Sequence, residues 1–347
     1  MLVDSPPEQC AETAPAPPTR RAARALGLLL SVVLLVCVAL ASIAIGAKAL
    51  SLDQVWHGLF HDTGTYGDVV VDERLARTAL GLLAGAALGV SGAVLQALTR
   101  NPLAEPGLLG MNAGASAAVV TAMTYFGVTS LSGYVWFAFL GAAAVGALVW
   151  FLGGSRGATP VRLALAGTAI SAALYGYLQA VMITDGAALG KMRFWTVGSL
   201  VSATNATIVQ VLPFLVAGTV LALALARPLN AVEMGDDTAR ALGANLDRTR
   251  ALAMLAAVVL CGAATAACGP IVFVGLMVPH AVRSFTGPDL RWILPYATVL
   301  APVLLLGADV VGRVVARPAE LQVGIVTAII GGPLFIFLVR RRRTAQL

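Results

Sequence analysis

The sequence predicts an all-α fold, a polytopic membrane bundle of about ten transmembrane helices, and three observations carry that expectation. Hydrophobic residues fill 59% of the 347 positions and charged residues only 12%, about half the charged share of an ordinary soluble domain, and mean hydropathy is +0.87. Apolar runs of about 20 residues, the length that crosses a bilayer as a helix, recur along almost the whole chain with short polar interruptions. The ten-residue alternating segments of a membrane β-barrel are absent, so each span is expected to satisfy its own backbone as a helix.

Residues 1–25 are rich in proline and alanine and too poor in large apolar side chains to pack, which reads as a disordered cytoplasmic tail. The apolar stretch that follows is longer than a signal-peptide core and has no cleavage site behind it, so it reads as an uncleaved first helix. Spans are expected at 26–46, 75–98, 108–126, 133–153, 161–184, 207–226, 249–268, 271–285, 293–312 and 323–339, making 26–339 one transmembrane domain and 340–347 a basic tail. The eighth span is short. Gly269 and Pro270 break a long hydrophobic stretch before it, and two helices are expected to turn back there near the outer surface.

Ten spans put both termini on one side, and the positive-inside rule says which. With the termini inside, the inner segments hold Arg20, Arg21, Arg24, Arg100, Arg156, Arg162, Arg227, Arg240, Arg248, Arg250, Arg283, Arg291 and Arg340 to Arg343, which is 16 of the 23 basic residues. The outer segments hold Lys48, Arg74, Arg77, Lys191, Arg193, Arg313 and Arg317. Removing one span would carry the C-terminal arginine cluster outside. The chain is therefore read as a multi-pass membrane protein with both termini cytoplasmic. Its net charge of +6 needs no nucleic-acid partner.

Within the second span Gly81, Gly85 and Gly89 recur every four residues and Gly92 and Ala93 extend the small face. That spacing lets helix backbones approach closely in lipid, which places the span in the middle of the bundle. The longest polar break, residues 227–250, contains Asp236 and Asp237 as candidate caps, a short helix through Thr238, Ala239, Arg240, Ala241 and Leu242, and Gly243 as its stop. A capped surface helix with small and apolar residues between its charges points to a protein partner on the inner face. Cys37, Cys261 and Cys268 fall in spans and Cys10 in the tail, a pattern of packing rather than disulfides. His57 and His61 share a face with Asp53 nearby, and without a third paired ligand they read as a solvated outer segment rather than a metal site.

No ATP-hydrolysing motif is visible. The nearest phosphate-loop pattern, Gly186 to Met192, is one residue too short between its glycines and lacks the Ser or Thr that binds the metal. Asp185, Asp309, Glu320, Glu105, Asp236 and Asp237 cluster at span ends, which disfavours a carboxylate relay of the kind ion-coupled transporters use. A secondary transporter and a membrane scaffold or intramembrane enzyme are the competing readings.

The residues themselves carry a resemblance. DERLARTALGLLAGAALGVSGAVLQALTRNPLAEPGLLGMNAGA at 72–115, LALAGTAISA at 163, FWTVGSL at 194, GDDTARALG at 235, GPIVFVGLMVPHAVR at 269 and PAELQVGIVTAIIGGPLF at 318 resemble, in order, the iron-siderophore, haem and cobalamin permease family of ABC importers. The resemblance implies a ten-helix permease that pairs with a second copy or homologue, with two ATPase subunits below and an extracytoplasmic substrate-binding protein above. It implies no cofactor bound by this chain, with ATP and Mg in the ATPase. It matches Gly235, Asp236, Asp237, Thr238, Ala239, Arg240, Leu242 and Gly243 to the ATPase-coupling segment. Arg74, Arg77 and Arg313 match arginines that receive glutamates of the binding protein, although Ala76 replaces the usual proline between the first two. Phe194, Trp195 and Gln96 are expected along the pathway. Among cargoes a ferric siderophore leads, ahead of haem or cobalamin.

Overall fold

The computed structural model describes residues 20–46, 52–60, 66–128, 130–154 and 160–344. In chain order the helices are α1 (Arg20–Ala44), α2 (Leu52–Phe60), α3 (Tyr66–Thr99), a 3-10 turn (Pro106–Leu109), α4 (Met111–Tyr125), α5 (Leu131–Gly154), α6 (Pro160–Thr184), α7 (Gly186–Trp195), α8 (Asn205–Ala224), α9 (Ala226–Glu233), α10 (Asp236–Ala241), α11 (Leu246–Cys268), α12 (Val274–Thr286), α13 (Leu290–Val315) and α14 (Val323–Thr344). No strand occurs among the described residues. Each of the ten expected spans falls on one of these helices, and seven of them are long and apolar enough to cross a membrane. Two boundaries move. Helix α1 already runs from Arg20, inside the stretch read as a tail, and α14 carries the arginine cluster at 340–343 within its last turns. Residues 1–19 lie outside the described part.

Helices α3 and α11 are buried over most of their length, whereas α1 and α6 are largely exposed. The small face of α3 explains its central place. Gly81 and Gly89 abut Leu306 and Ala301 of α13, Gly85 lies against the backbone of Ala301 and Pro302, and Gly92 against the carbonyl of Gly275 in α12. A methyl group at Gly85 or Gly92 would overlap main-chain atoms, so these two positions set the helix–helix distance.

Several helices start on side-chain caps. Thr204 accepts from the Thr207 amide ahead of α8, and Asn245 from that of Arg248 ahead of α11. Asp289 accepts from the Arg291 amide at the start of α13 and also from the Asn230 amide group of α9 at 2.7 Å. Hydrogen bonds from the Arg291 side chain outweigh partial burial and hold the Asp289 carboxyl at about 2.

The eighth span differs from its sequence reading. The chain does not simply turn near a surface. Residues 269–273 are non-helical, and α12 itself has only 13 residues. Its first turn lies beside Gly92 and Gln96, in the last third of the 34-residue α3, so α12 starts deep in the bundle. The third span is likewise short. Helix α4 has 15 residues, about 22 Å, and follows the 3-10 turn through Gly110 at φ 77°. The two irregular segments meet. Phe273, at φ 70°, donates its amide to Glu105 Oε2 at 3.0 Å. Glu105 is thus buried and tied to the start of α12. Non-helical backbone at membrane depth persists only where protein covers it, and here each segment covers the other.

Replacing Gly85 by Val should push α3 off α13 and destabilise the protein by about 1–3 kcal/mol, the usual range for overpacking. Gly307→Ala, at a helical position with open space around it, should be neutral or stabilising by up to about 1 kcal/mol. Thermal melting in detergent reads both. Equal effects would mean that the small face does not set this packing.

Candidate functional site

One face of the bundle gathers the arginines singled out in the sequence. The start of α3, the end of α13 and the end of α1 meet there. Arg77 forms a fork on Asp309, Nε to Oδ2 at 3.0 Å and Nη2 to Oδ1 at 2.7 Å, and its Nη1 reaches Glu320 at 2.7 Å. Arg313 sits one helical turn beyond Asp309, with Nη2 at 3.1 Å from the carboxylate. It also donates to the Ser42 carbonyl and hydroxyl, both at 2.9 Å. Arg74 donates to the carbonyls of Ile43 and Ala44 at 3.0 Å each, and Arg317 to that of Gly46 at 2.7 Å. Ser42 and Thr78 share a hydrogen bond of 2.9 Å.

The three predicted arginines therefore do come together, but they are not displayed. Arg74, Arg77 and Arg313 are 6%, 8% and 1% exposed and Asp309 is fully buried. Their pairing within the chain also draws in Glu320 of the loop before α14. Asp72 and Glu73, next to Arg74 in sequence, are exposed. On α2 the His57 and Asp53 side chains lie 3.7 Å apart and both are exposed; His61 is outside the described residues.

On the opposite face, α10 has the position expected of it with a different internal logic. Gly235, at φ 117°, is the N-cap, and neither aspartate caps the helix. Asp236 instead accepts from Arg250 at 2.8 and 2.9 Å and from Arg100. Partial burial raises its carboxyl, but these two guanidinium groups outweigh that and hold it below the usual carboxylate range. Arg100 also donates to the Val232 carbonyl at 2.7 Å. Asp237 and Arg240 form an exposed pair at 3.2 Å, and Gly243, at φ 80°, closes the segment. Ala239 is fully buried against Val232 and Leu246 of this chain, so it seats α10 rather than facing a partner. The outward face carries Thr238, Arg240, Leu242 and Met234, the last two 64% and 66% exposed. Met234 was not singled out in the sequence, though its place just before Gly235 beside the polar helix was a usable signal.

The expected pathway residues divide. Trp195 packs edge-on to Tyr134 with ring centroids 6.3 Å apart. It lines a cavity of about 500 Å³ with Tyr134, Ser199, Ser202, Glu320 and Gln322. The Phe194 side chain is outside the described part. Gln96 is buried and donates to the Leu276 carbonyl at 3.1 Å, tying α3 to the first turn of α12. Among the described residues no cluster of His, Cys, Asp and Glu is arranged to hold a metal.

A multi-pass helical bundle with two half-helices meeting at its centre, a charged seal on one face and a short projecting helix on the other defines a membrane permease subunit. The chain belongs to the FecCD transport family, whose pattern it matches over residues 33–341. It is 46% identical over 327 residues to the ferric enterobactin transport system permease protein of Escherichia coli (strain K12), covering 93% of this chain and 96% of that one. It is 39% identical over 306 residues to an Fe(3+)-citrate import system permease protein of Bacillus subtilis (strain 168), covering 88% and 91%. Among solved structures, one described as an inward-facing conformation of a metal-chelate type ABC transporter superposes with a TM-score of 0.80 at 28% identity, over 91% of this chain and 99% of that chain.

Arg77→Ala would leave Asp309 buried with Arg313 alone. Truncating one partner of a buried charge pair costs about 3–5 kcal/mol, and a comparable loss of thermal stability is expected. Replacing Arg77, Asp309 and Arg313 together by Met, Leu and Met should recover much of it. A single variant as stable as wild type would show that the seal does not support the fold.

Proposed function

We propose that this chain is the permease subunit of an ATP-driven importer that carries a ferric siderophore across the cytoplasmic membrane of a bacterium. The observation that supports it most is the near full-length match to the ferric enterobactin permease. The chain shows no nucleotide-binding motif, so energy comes from two partner ATPase subunits holding ATP and Mg. Residues 26–339 form the permease domain, which pairs with a second copy or a homologue, and 1–25 and 340–347 are cytoplasmic tails.

The ATPase contact is the outward face of α10, where Asp237, Thr238, Arg240 and Leu242 project between the turns at Gly235 and Gly243 while Asp236 and Ala239 fix the helix in place. An extracytoplasmic binding protein docks over Arg74, Arg77 and Arg313. Because these guanidinium groups are already engaged, docking acts through Glu320, whose side chain is 30% exposed; a carboxylate of the binding protein takes its place on Arg77. Trp195 and Phe194 border the pathway, and Gln96 reaches it only through α12.

Orientation is open to direct test. Cysteine placed at Asp72 should be labelled from outside sealed cells and cysteine at Asp247 should not, in keeping with the basic asymmetry. Labelling of position 247 would overturn the cytoplasmic placement of α10.

The activity itself is tested by reconstituting the chain with its ATPase and binding protein in vesicles. Uptake of ferric siderophore should exceed that of haem or cobalamin, and Leu242→Asp should abolish uptake while binding-protein docking persists. Haem uptake without siderophore uptake would replace the cargo. Undiminished uptake by the Leu242 variant would remove α10 from the coupling role.

A further inference from the structure

The first turns of α1 hold a cleft that the transport reading does not use. It has a volume of about 530 Å³ and lies between α1, the end of α12 and the first turns of α13. Arg24 forms one wall. Its guanidinium carbon is 6.0 Å from the centroid of the Trp292 ring, and none of the ion pairs among the described residues includes it. The nearby arginines are different, since Arg291 is engaged by Asp289 and Arg283 by Glu233. Arg21, one turn earlier on the same face, is exposed, and the first turn of α1 contains no acidic residue. Two cations thus stand at the positive end of a helix dipole, an arrangement that an anion would offset.

The rest of the cleft is shaped for an amphipathic occupant. The Tyr296 hydroxyl donates to the Arg24 carbonyl at 2.7 Å, an approach open only because Gly27 has no side chain there. Phe285 packs edge-on to Tyr296 at 5.2 Å and is 56% exposed. Beyond it Leu30, on the flank of α1 beside Gly27 and Ser31, is 60% exposed. Charge therefore lies at the helix start and apolar surface leads away from it along the membrane normal. A soluble anion would leave that apolar wall uncovered, and an apolar molecule would leave the arginines unneutralised.

We propose that this cleft binds one anionic glycerophospholipid, its phosphate held by Arg24 and Arg21 and an acyl chain lying past Ser31 and Phe285. Basic pockets between spans are the usual form of such sites, and the guanidinium fork suits a phosphodiester. The site stands whichever leaflet meets the start of α1, so it does not depend on the cargo or on the orientation proposed above.

The test uses the full chain in mild detergent, incubated with phosphatidylglycerol or phosphatidylcholine and read by native mass spectrometry and thermal melting. Wild type should retain one phosphatidylglycerol in preference to phosphatidylcholine and melt higher with it. Arg21→Gln with Arg24→Gln should weaken that retention about ten-fold or more, from two lost basic contacts, with melting in phosphatidylcholine unchanged. Arg24→Lys should keep most of it. Ser31→Leu, which narrows the cleft without touching a charge, should also lower it, so a misfolded double variant would not leave the matter undecided. Equal retention of the two lipids, or of phosphatidylglycerol by wild type and the double variant, would overturn the proposal and leave the cleft to residues 1–19 or to solvent. A melting shift from millimolar inorganic phosphate as large as that from the lipid would overturn it in favour of a simple anion site.

Discussion

Polar groups placed in hydrocarbon must find their partners inside the protein, and the buried carboxylate of Asp309 shows how much of this structure follows from that constraint. Fully enclosed, it is neutralised by Arg77 and Arg313 together, and the surplus donors of those two arginines then need acceptors of their own. Ser42 on α1 and Glu320 before α14 supply most of them, and the Arg313 Nε is left without one. A single buried charge thereby keys α1 and α3 to the end of α13 and the loop that follows it. Desolvating a charge costs several kcal/mol, so no partial version of this set is stable. Its members stand or fall together.

The same constraint governs the centre of the bundle. A span that is not helical throughout exposes main-chain groups, and in lipid these have no water to turn to. The segments before α4 and α12 avoid the penalty by facing each other, with Glu105 receiving the Phe273 amide and Gln96 donating to the carbonyl of Leu276. Glycine at positions 92 and 275 brings the backbones close enough for this. The most irregular part of the molecule therefore lies against its most buried helix, α3, where cover is most complete.

Hydropathy made the class legible and placed every expected span on a helix, seven of them long and apolar enough to cross a membrane, because burial in lipid is a property of local composition. The periodic glycines likewise placed α3 at the centre, since close backbone approach needs small residues at helical spacing. What remained hidden were pairings across long separations: Arg77 with Asp309 is 232 residues apart and Glu105 with Phe273 is 168. A count of charges by side orients a bundle, yet it treats a sealed arginine and a displayed one alike. The outer arginines therefore read as free for a partner although the fold had already engaged them. Ala239 was misplaced for a related reason. A short helix between polar turns shows that it has two faces, but the sequence alone does not say which is turned inward.

The opposite face of the bundle is built on a different balance, and the difference bears on how movement passes through the molecule. Helix α10 is held by a small apolar cluster of Val232, Ala239 and Leu246, separate from the main core, so little buried area resists its displacement. Its charged anchor is more consequential. Asp236 joins Arg100, just beyond the end of α3, to Arg250 in the first turns of α11, and these are the two most enclosed helices of the bundle. The same two guanidinium groups hold the Asp236 carboxyl below the usual range, which favours the ionised form that makes the link. The exposed side of α10 is therefore joined through one carboxylate to both α3 and α11. At its far end α3 meets the Asp309 seal, which resists deformation because none of its charges can be released singly. Between these two charged links α3 passes the half-helix α12, where Gly92 packs against the Gly275 carbonyl and Gln96 donates to that of Leu276.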